Sequence, residues 1–80
     1  MKFYAYVPRE DGSSPMGTDN KILFELKTVR GAIRRCERVL NGTFVLLMYH
    51  NFYDNKTFAL LHGRGLTKKQ WEGVAEEWRK

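Results

Sequence analysis

The order of apolar and polar residues divides the chain into short alternating runs and two stretches of helical period. The first run alternates over residues 2–8 and ends at Pro8, which predicts a strand. Its two sides are Phe3, Ala5 and Val7 on one and Tyr4 and Tyr6 on the other. Residues 9–20, which follow, are polar and rich in Gly, Ser and Pro, and at this length we expect a mobile polar loop.

Residues 21–26 fit two predictions. They form either a strand that pairs back on the first or the start of one long helix from Asp19, because apolar residues recur at spacings of four and three. The recurring positions are Ile22, Leu26, Val29, Ile33, Cys36 and Leu40. We favour the strand, because Thr28 is a good helix N-cap and separates the two segments.

The segment after Thr28 predicts an amphipathic helix that ends at Asn41-Gly42. Its apolar stripe consists of Val29, Ala32, Ile33, Cys36, Val39 and Leu40. Residues 43–49 and 57–61 are then rich in β-forming side chains and predict a hairpin with Asp54-Asn55 at or near its tip. With a two-residue turn, Met48 would lie opposite Leu61.

Both faces of this hairpin are apolar, whereas a half-exposed sheet alternates between apolar and polar. We therefore expect either that two helices straddle the sheet or that a homodimer buries its second apolar face.

The last segment predicts a second helix. Thr67 and Gln70 have the spacing of a capping box, and Leu66 is placed to pack on Trp71. The predicted core stripe is Trp71, Val74, Ala75 and Trp78. The order of elements is ββαββα, so we expect one α+β domain over residues 1–80, an antiparallel sheet with two helices packed on it.

The formal charge of +5 is concentrated in two segments. Residues 27–42 hold five cations against Glu37, a net of +4, and residues 63–69 add three cations. The remainder is slightly acidic, so this asymmetry points to an acidic partner. Cys36 is the single cysteine, and with no signal-peptide or membrane-span pattern we expect a cytoplasmic protein with no membrane partner.

The first candidate site is the polar side of the first helix. A helix advances by about 100° per residue, which fans four arginines out opposite the apolar stripe, with Glu37 the one acid among them. They are Arg30, Arg34, Arg35 and Arg38. A merely solvated helix face usually mixes charge signs, and Arg binds carboxylate or phosphate bidentately, so we expect a partner-binding surface. Phe52 and Tyr53 near the hairpin tip are candidate aromatic contacts.

The second candidate site is the Gly63–Lys69 segment at the start of the last helix. A helix N-terminus offers free amides and partial positive charge, which favours an anion such as phosphate. The candidate anion-binding residues are Arg64, Thr67, Lys68 and Lys69. The spacing is not that of a Walker loop, and the alternative is a Gly-rich turn with solvated lysines.

Chemistry-bearing residues form no recognisable catalytic pattern. His50, His62, Asp54 and Cys36 complete no triad, and no spacing suits zinc, calcium or magnesium. Cys36 falls on the apolar stripe and is predicted to be a buried packing residue. We expect no enzyme activity, no cofactor and no metal.

These features predict a binding module and leave two kinds of partner open. The first is an acidic protein surface or nucleoprotein complex. The chain would then be a small phage- or mobile-element-type effector, whose arginines dock on an acidic or nucleic-acid-binding surface of a host defence complex and inhibit it. Anti-CRISPR proteins are similarly small, single-domain and free of motifs, which is a similarity of size and motif content and not of sequence. The alternative is a DNA- or RNA-binding regulator that uses the same helix and the Gly63–Lys69 segment. We favour the first, because no nucleic-acid-binding motif is present.

Overall fold

The computed structural model describes residues 1–16, 20–49 and 59–79, which form a four-stranded sheet and two helices. In chain order the elements are β1 (Lys2–Tyr6), β2 (Lys21–Glu25), α1 (Val29–Val39), β3 (Phe44–Tyr49), β4 (Ala59–Arg64) and α2 (Lys68–Arg79). The strand order across the sheet is β2-β1-β3-β4, and every neighbouring pair is antiparallel. This is the predicted α+β fold, and residues 21–25 are a strand, not the start of a long helix.

The two helices cover opposite faces of the sheet. On one face, Phe3 and Ala5 of β1 pack in a single cluster with Ala32 and Cys36 of α1. On the other, Tyr6, Val45 and Leu47 form a second cluster with Val74 of α2. Side chains alternate between the faces of a strand, so the apolar residues of β1 and β3 supply both layers. The straddling arrangement is therefore confirmed, because α2 lies on the second apolar face and packs on Tyr6, Val45 and Leu47 there.

Helix α1 begins where the sequence predicts. The Thr28 hydroxyl accepts a hydrogen bond from the Gly31 amide at 3.1 Å, which caps the first turn. After Leu40 the chain turns through Gly42, whose φ of 93° favours glycine. One residue of the predicted stripe differs, because Val39 is 51% exposed. Val39 lies at the edge of the stripe, on the side of Arg35, whereas the next residue, Leu40, is buried.

The register predicted for the β3–β4 hairpin is wrong. Met48 pairs with Ala59, not with Leu61, and Leu47 pairs with Leu60. The difference is two residues at Met48 and one residue at Leu46, which pairs with His62, because a β-bulge between Leu46 and Leu47 inserts one extra residue into one strand. The predicted tip at Asp54-Asn55 lies outside the described residues.

Strand β4 also extends further than predicted. It continues through Gly63 and Arg64, which pair with Val45 and Phe44 of β3. The absent side chain of Gly63 makes room for the ring of Trp71, because a Cβ there would lie 2.8 Å from two ring carbons.

Helix α2 begins with the predicted capping box. The Thr67 amide donates to Gln70 Oε1 at 2.9 Å, and the Gln70 amide donates to Thr67 Oγ1 at 3.2 Å. The predicted core stripe is only partly buried where the structure describes it. Val74 is buried, Ala75 is exposed and Trp71 is 38% exposed, while the side chain of Trp78 lies outside the described residues. Trp71 lies over Gly63 of the edge strand β4.

Residues 9–14, here called the 9–14 strap, lie across α2. A Cβ on Gly73 would lie 2.9 Å from the Gly12 Cα, so the strap and the helix backbone are in direct contact. The Ser14 amide donates to Glu77 Oε1 at 2.9 Å, and Asp11 Oδ1 accepts from the Ser13 amide and hydroxyl. The 9–14 strap is the first part of the segment 9–20, which the sequence predicted to be a mobile loop.

Candidate functional site

Helix α1 carries four arginines on the side that faces away from the sheet, and we call them the arginine surface. All four are exposed: Arg30, Arg34, Arg35 and Arg38. Arg30, Arg34 and Arg38 follow one another at intervals of four residues, which places successive positions roughly 6 Å apart along the helix axis. The surface thus presents a row of cations about 12 Å long.

Two contacts at the flanks of α1 fix its orientation over the sheet. On the β2 side, the guanidinium of Arg35 lies 5.2 Å from the centre of the Phe24 ring. On the β4 side, Glu37 Oε2 forms an ion pair of 2.9 Å with Arg64 Nη1. The one acidic residue of α1 is therefore engaged at the helix flank. Glu37 neutralises the charge of Arg64, whereas Arg30, Arg34 and Arg38 keep their positive charge.

The arginine surface is electrostatically unfavourable for the isolated chain. Arg34 has a like-charged neighbour four residues away on each side, and each such pair costs a few tenths of a kcal/mol. Arg30 lies in the first turn, where the helix dipole disfavours a cation and where no acidic residue is present. Among the described residues, Arg64 with Glu37 is the ion pair within 4 Å, and none is formed by the arginine surface. An acidic partner would relieve this repulsion.

An apolar side chain borders the same surface. Val39, 51% exposed, follows Arg38 and lies one helical turn beyond Arg35. Protein interfaces combine an apolar or aromatic centre with Arg, whereas phosphate backbones offer no apolar contact. The apolar stripe predicted Val39 in the core and did not indicate this feature. Five apolar positions on an eleven-residue helix form a wide stripe, which was a signal that one of them lies at the border.

The Gly63–Lys69 segment is divided between the two sides of the sheet. Arg64 is opposite Phe44, on the α1 side, where it contacts Glu37. Lys68 and Lys69 are exposed in the first turn of α2, on the other side. Thr67 uses its hydroxyl to cap the Gln70 amide, which an anion would otherwise bind. The structure therefore brings Lys68 and Lys69 together but places Arg64 with α1.

Lys69 has neighbours that the sequence pattern does not indicate. It lines a shallow, open cleft with Arg9, Glu10 and Asp11 of the 9–14 strap. The cleft mixes two cations with two carboxylates. Hydrogen bonds from Ser13 lower the pKa of Asp11, so this carboxylate is charged at neutral pH. The cleft consequently lacks the uniform positive charge that favours phosphate. Nothing in the local sequence indicates this contact, because the two segments are far apart in the chain.

The candidate aromatic contacts Phe52 and Tyr53 lie outside the described residues. Of the other aromatic residues, Tyr4 and Tyr6 are neighbours on the α2 side of β1, with ring centres 5.7 Å apart. Tyr6 is buried, and within the described part of the chain its hydroxyl has no hydrogen-bond partner. Burial, with a contribution from Glu77, raises its pKa far above the ordinary tyrosine range. Tyr6 is therefore a neutral core residue.

Cys36 lies in the core against the sheet, as predicted. Burial raises the pKa of its thiol to about 11, although Arg35 acts in the opposite direction. A thiol with such a pKa is a poor nucleophile at neutral pH. The described residues contain no group of three His, Cys, Asp or Glu side chains that could hold a metal ion.

Together the fold and this site define a small α+β domain whose main surface feature is a basic, solvent-facing helix. Comparison with known proteins gave no match: no family model, curated protein or solved structure is significantly similar to this chain. In the parts of the chain that the structure describes, neither helix has the length and apolar character needed to cross a bilayer.

Proposed function

We propose that this protein is a non-catalytic binding module that docks the arginine surface of α1 on an acidic surface of a partner protein. The observation that carries the proposal is the ion pair of Glu37 with Arg64, beside which the four exposed arginines of α1 form no ion pair among the described residues. A row of cations that repel one another is stabilised when a partner supplies carboxylates.

The exposed apolar border at Val39 favours a protein partner over bare nucleic acid. Arginines can form bidentate pairs with carboxylates around such a contact, and interface centres are enriched in Arg and depleted of Lys. The biological setting that we propose is the cytoplasm, where a phage- or mobile-element-type effector would cover an acidic or nucleic-acid-binding surface of a host defence complex. A single small domain with one dominant charged surface is suited to blocking such a surface.

The proposal is tested by reversing charge on the arginine surface and, as a matched control, on α2. Arg34→Glu with Arg38→Glu should abolish partner binding, whereas Lys68→Glu with Lys69→Glu changes net charge equally and should retain it. Both pairs are exposed, so stability should change by under about 0.5 kcal/mol per substitution. Partner capture from nuclease-treated extract, with circular dichroism of each variant, measures both effects. If the Arg34/Arg38 variant unfolds, the arginines are structural and the assignment is wrong.

The nucleic-acid alternative is tested by titration of random duplex DNA and RNA at several salt concentrations. We expect only the non-specific range, roughly micromolar to sub-millimolar at physiological salt. Sub-micromolar affinity that falls steeply with salt and is lost on mutation of Lys68 and Lys69 would refute the protein-docking proposal. The Gly63–Lys69 phosphate site would then be the functional one.

A further inference from the structure

Strand β2 is one of the two edge strands of the sheet, β4 being the other, and its hydrogen bonding to β1 determines which of its backbone groups face outward. Met1 and Leu26 exchange two hydrogen bonds, of 3.0 and 3.1 Å, and the Val7 amide donates to the Asn20 carbonyl at 3.2 Å. In an antiparallel ladder, hydrogen-bonded pairs alternate with non-bonded ones. The even-numbered residues of β2 therefore bond to β1, and the odd-numbered residues do not.

The outward backbone groups belong to Lys21, Leu23 and Glu25. Their N–H and C=O groups point away from β1, and among the described residues no strand lies beside them. Their side chains share the α2 face of the sheet, where Leu23 is 48% exposed. A strand edge of this kind is a template for pairing with another chain.

The sequence of β2, Lys-Ile-Leu-Phe-Glu, is complementary to itself when two copies run antiparallel. With Leu23 facing Leu23 of a second copy, Lys21 faces Glu25 of the second copy at both ends. Between them, Ile22 faces Phe24 of the second copy on the α1 side. Opposite charges and apolar pairs directly across two strands both stabilise a sheet. The direction of the backbone groups is consistent with this register, because Lys21, Leu23 and Glu25, whose backbone groups face outward, are the residues that would exchange hydrogen bonds with the second copy.

We propose that two copies of this chain pair through β2, antiparallel about a two-fold axis at Leu23, to form one continuous sheet. This is an isologous interface, in which the same patch is used by both copies. It differs from the sheet-face homodimer, since α2 already covers that face. It is also independent of the proposed function, because it involves only this chain.

The pairing has a geometric consequence for α1. A two-fold axis perpendicular to the sheet keeps the two α1 helices on the same side, so the dimer presents two arginine surfaces in one plane. The five-residue edge is small, and the net charge of +5 on each copy opposes association. We therefore expect a weak, reversible dimer of the transient class.

Register-specific crosslinking tests the axis directly. In a hydrogen-bonded antiparallel pair the two Cα atoms lie about 5.5 Å apart, within the range of a disulfide. Leu23→Cys should form a disulfide-linked dimer under mild oxidation. The matched control, Lys21→Cys, should not, because the two copies of residue 21 lie four residues apart along the paired strands, roughly 14 Å. Cys36, buried, is the one native thiol.

Charge exchange tests the pairing without a crosslink. Lys21→Glu and Glu25→Lys should each weaken dimerisation roughly ten- to hundredfold, since two attractive pairs become repulsive. An equimolar mixture of the two variants should restore dimers, because each supplies the charge that the other lacks. Lys68→Glu, a matched charge change on α2, should not weaken the dimer. Sedimentation from about 10 μM to about 1 mM, with circular dichroism to verify folding, measures each association.

Two results would overturn the proposal. One is a protein that remains monomeric up to about 1 mM. The other is a dimer whose association is unchanged in the Lys21→Glu and Glu25→Lys variants and which crosslinks equally through residues 21 and 23. That result would place the interface elsewhere.

Discussion

Gly73 lies where the 9–14 strap crosses α2, and Gly73→Ala tests that contact. The added Cβ would lie 2.9 Å from the Gly12 Cα and 2.5 Å from the Asp11 carbonyl carbon, so backbone would have to move. In an ordinary helix interior the same change stabilises by up to about 1 kcal/mol, because glycine is the poorer helix former. The sign of the effect therefore distinguishes a packed strap from a free loop.

The magnitude follows from what the displaced strap would lose. The Ser14 amide donates to the Glu77 carboxylate at 2.9 Å, and hydrogen bonds to charged groups contribute about 1.5–3 kcal/mol. Gly12, buried against α2, would also become exposed. After subtraction of the helix-propensity gain, we expect a net loss of about 1–2 kcal/mol. For a domain of this size the melting temperature should fall by roughly 5–15 °C.

Thermal melts and urea titrations followed by circular dichroism measure this loss. The matched control is Gly31→Ala in α1, where a Cβ would meet only the side-chain atoms Thr28 Oγ1 at 3.1 Å and Leu26 Cδ1 at 3.9 Å. That variant should change stability by less than about 1 kcal/mol, because the helix-propensity gain is opposed only by a small shift of the Thr28 hydroxyl and no backbone has to move. If Gly73→Ala behaves like Gly31→Ala, the strap does not pack on α2 and the reasoning is refuted.

Two further outcomes test the start of α2 and the core under α1. Thr67→Ala should lower the free energy of unfolding by about 1 kcal/mol, and Thr67→Ser should restore it; equal stability of all three proteins would show that the capping box does not form. Native Cys36 should react with a thiol reagent at pH 8 at least about a hundredfold more slowly than in urea. The reason is that burial raises the thiol pKa from 9.0 to about 11, which leaves less of the reactive thiolate; reaction at the unfolded rate would contradict the buried placement.

Local signals in the sequence were sufficient to predict the helices and strands themselves. The cap at Thr28 and the capping box at Thr67 and Gln70 involve residues only three positions apart, so their chemistry is visible in a short window. The separation of β2 from α1 followed from the cap at Thr28. The order of elements and the antiparallel α+β class then followed from periodicity.

Contacts between distant segments could not be predicted in the same way. The register of β3 and β4 is two residues from the prediction at Met48 and one residue from it at Leu46, and the bulge between Leu46 and Leu47 that separates the two registers has no local sequence signal. Trp71 was predicted to be buried because it lies on an apolar stripe, but the stripe is wider than the part of the sheet that α2 covers. The pairing of Glu37 with Arg64 joins residues that only the fold brings together.

The arginines of the candidate site were predicted to be exposed, and they are. Their exposure follows from helical geometry alone, because they lie opposite the apolar stripe. The binding role of these residues, and that of Phe52, Tyr53 and the lysines of α2, stays a prediction. The spacing of apolar and charged residues predicts which side chains are exposed, but it does not indicate which partner they bind.

The placement of the helices on opposite faces has a consequence for partial unfolding. The layer that contains Phe3, Cys36 and Phe44 lies between the sheet and α1 and includes no residue of α2. Tyr6, Val45 and Leu47, in contrast, pack with Val74 of α2. Detachment of α2 alone would therefore leave one layer closed and expose one apolar surface, and in that state a chaperone or an aggregating neighbour would have access to it.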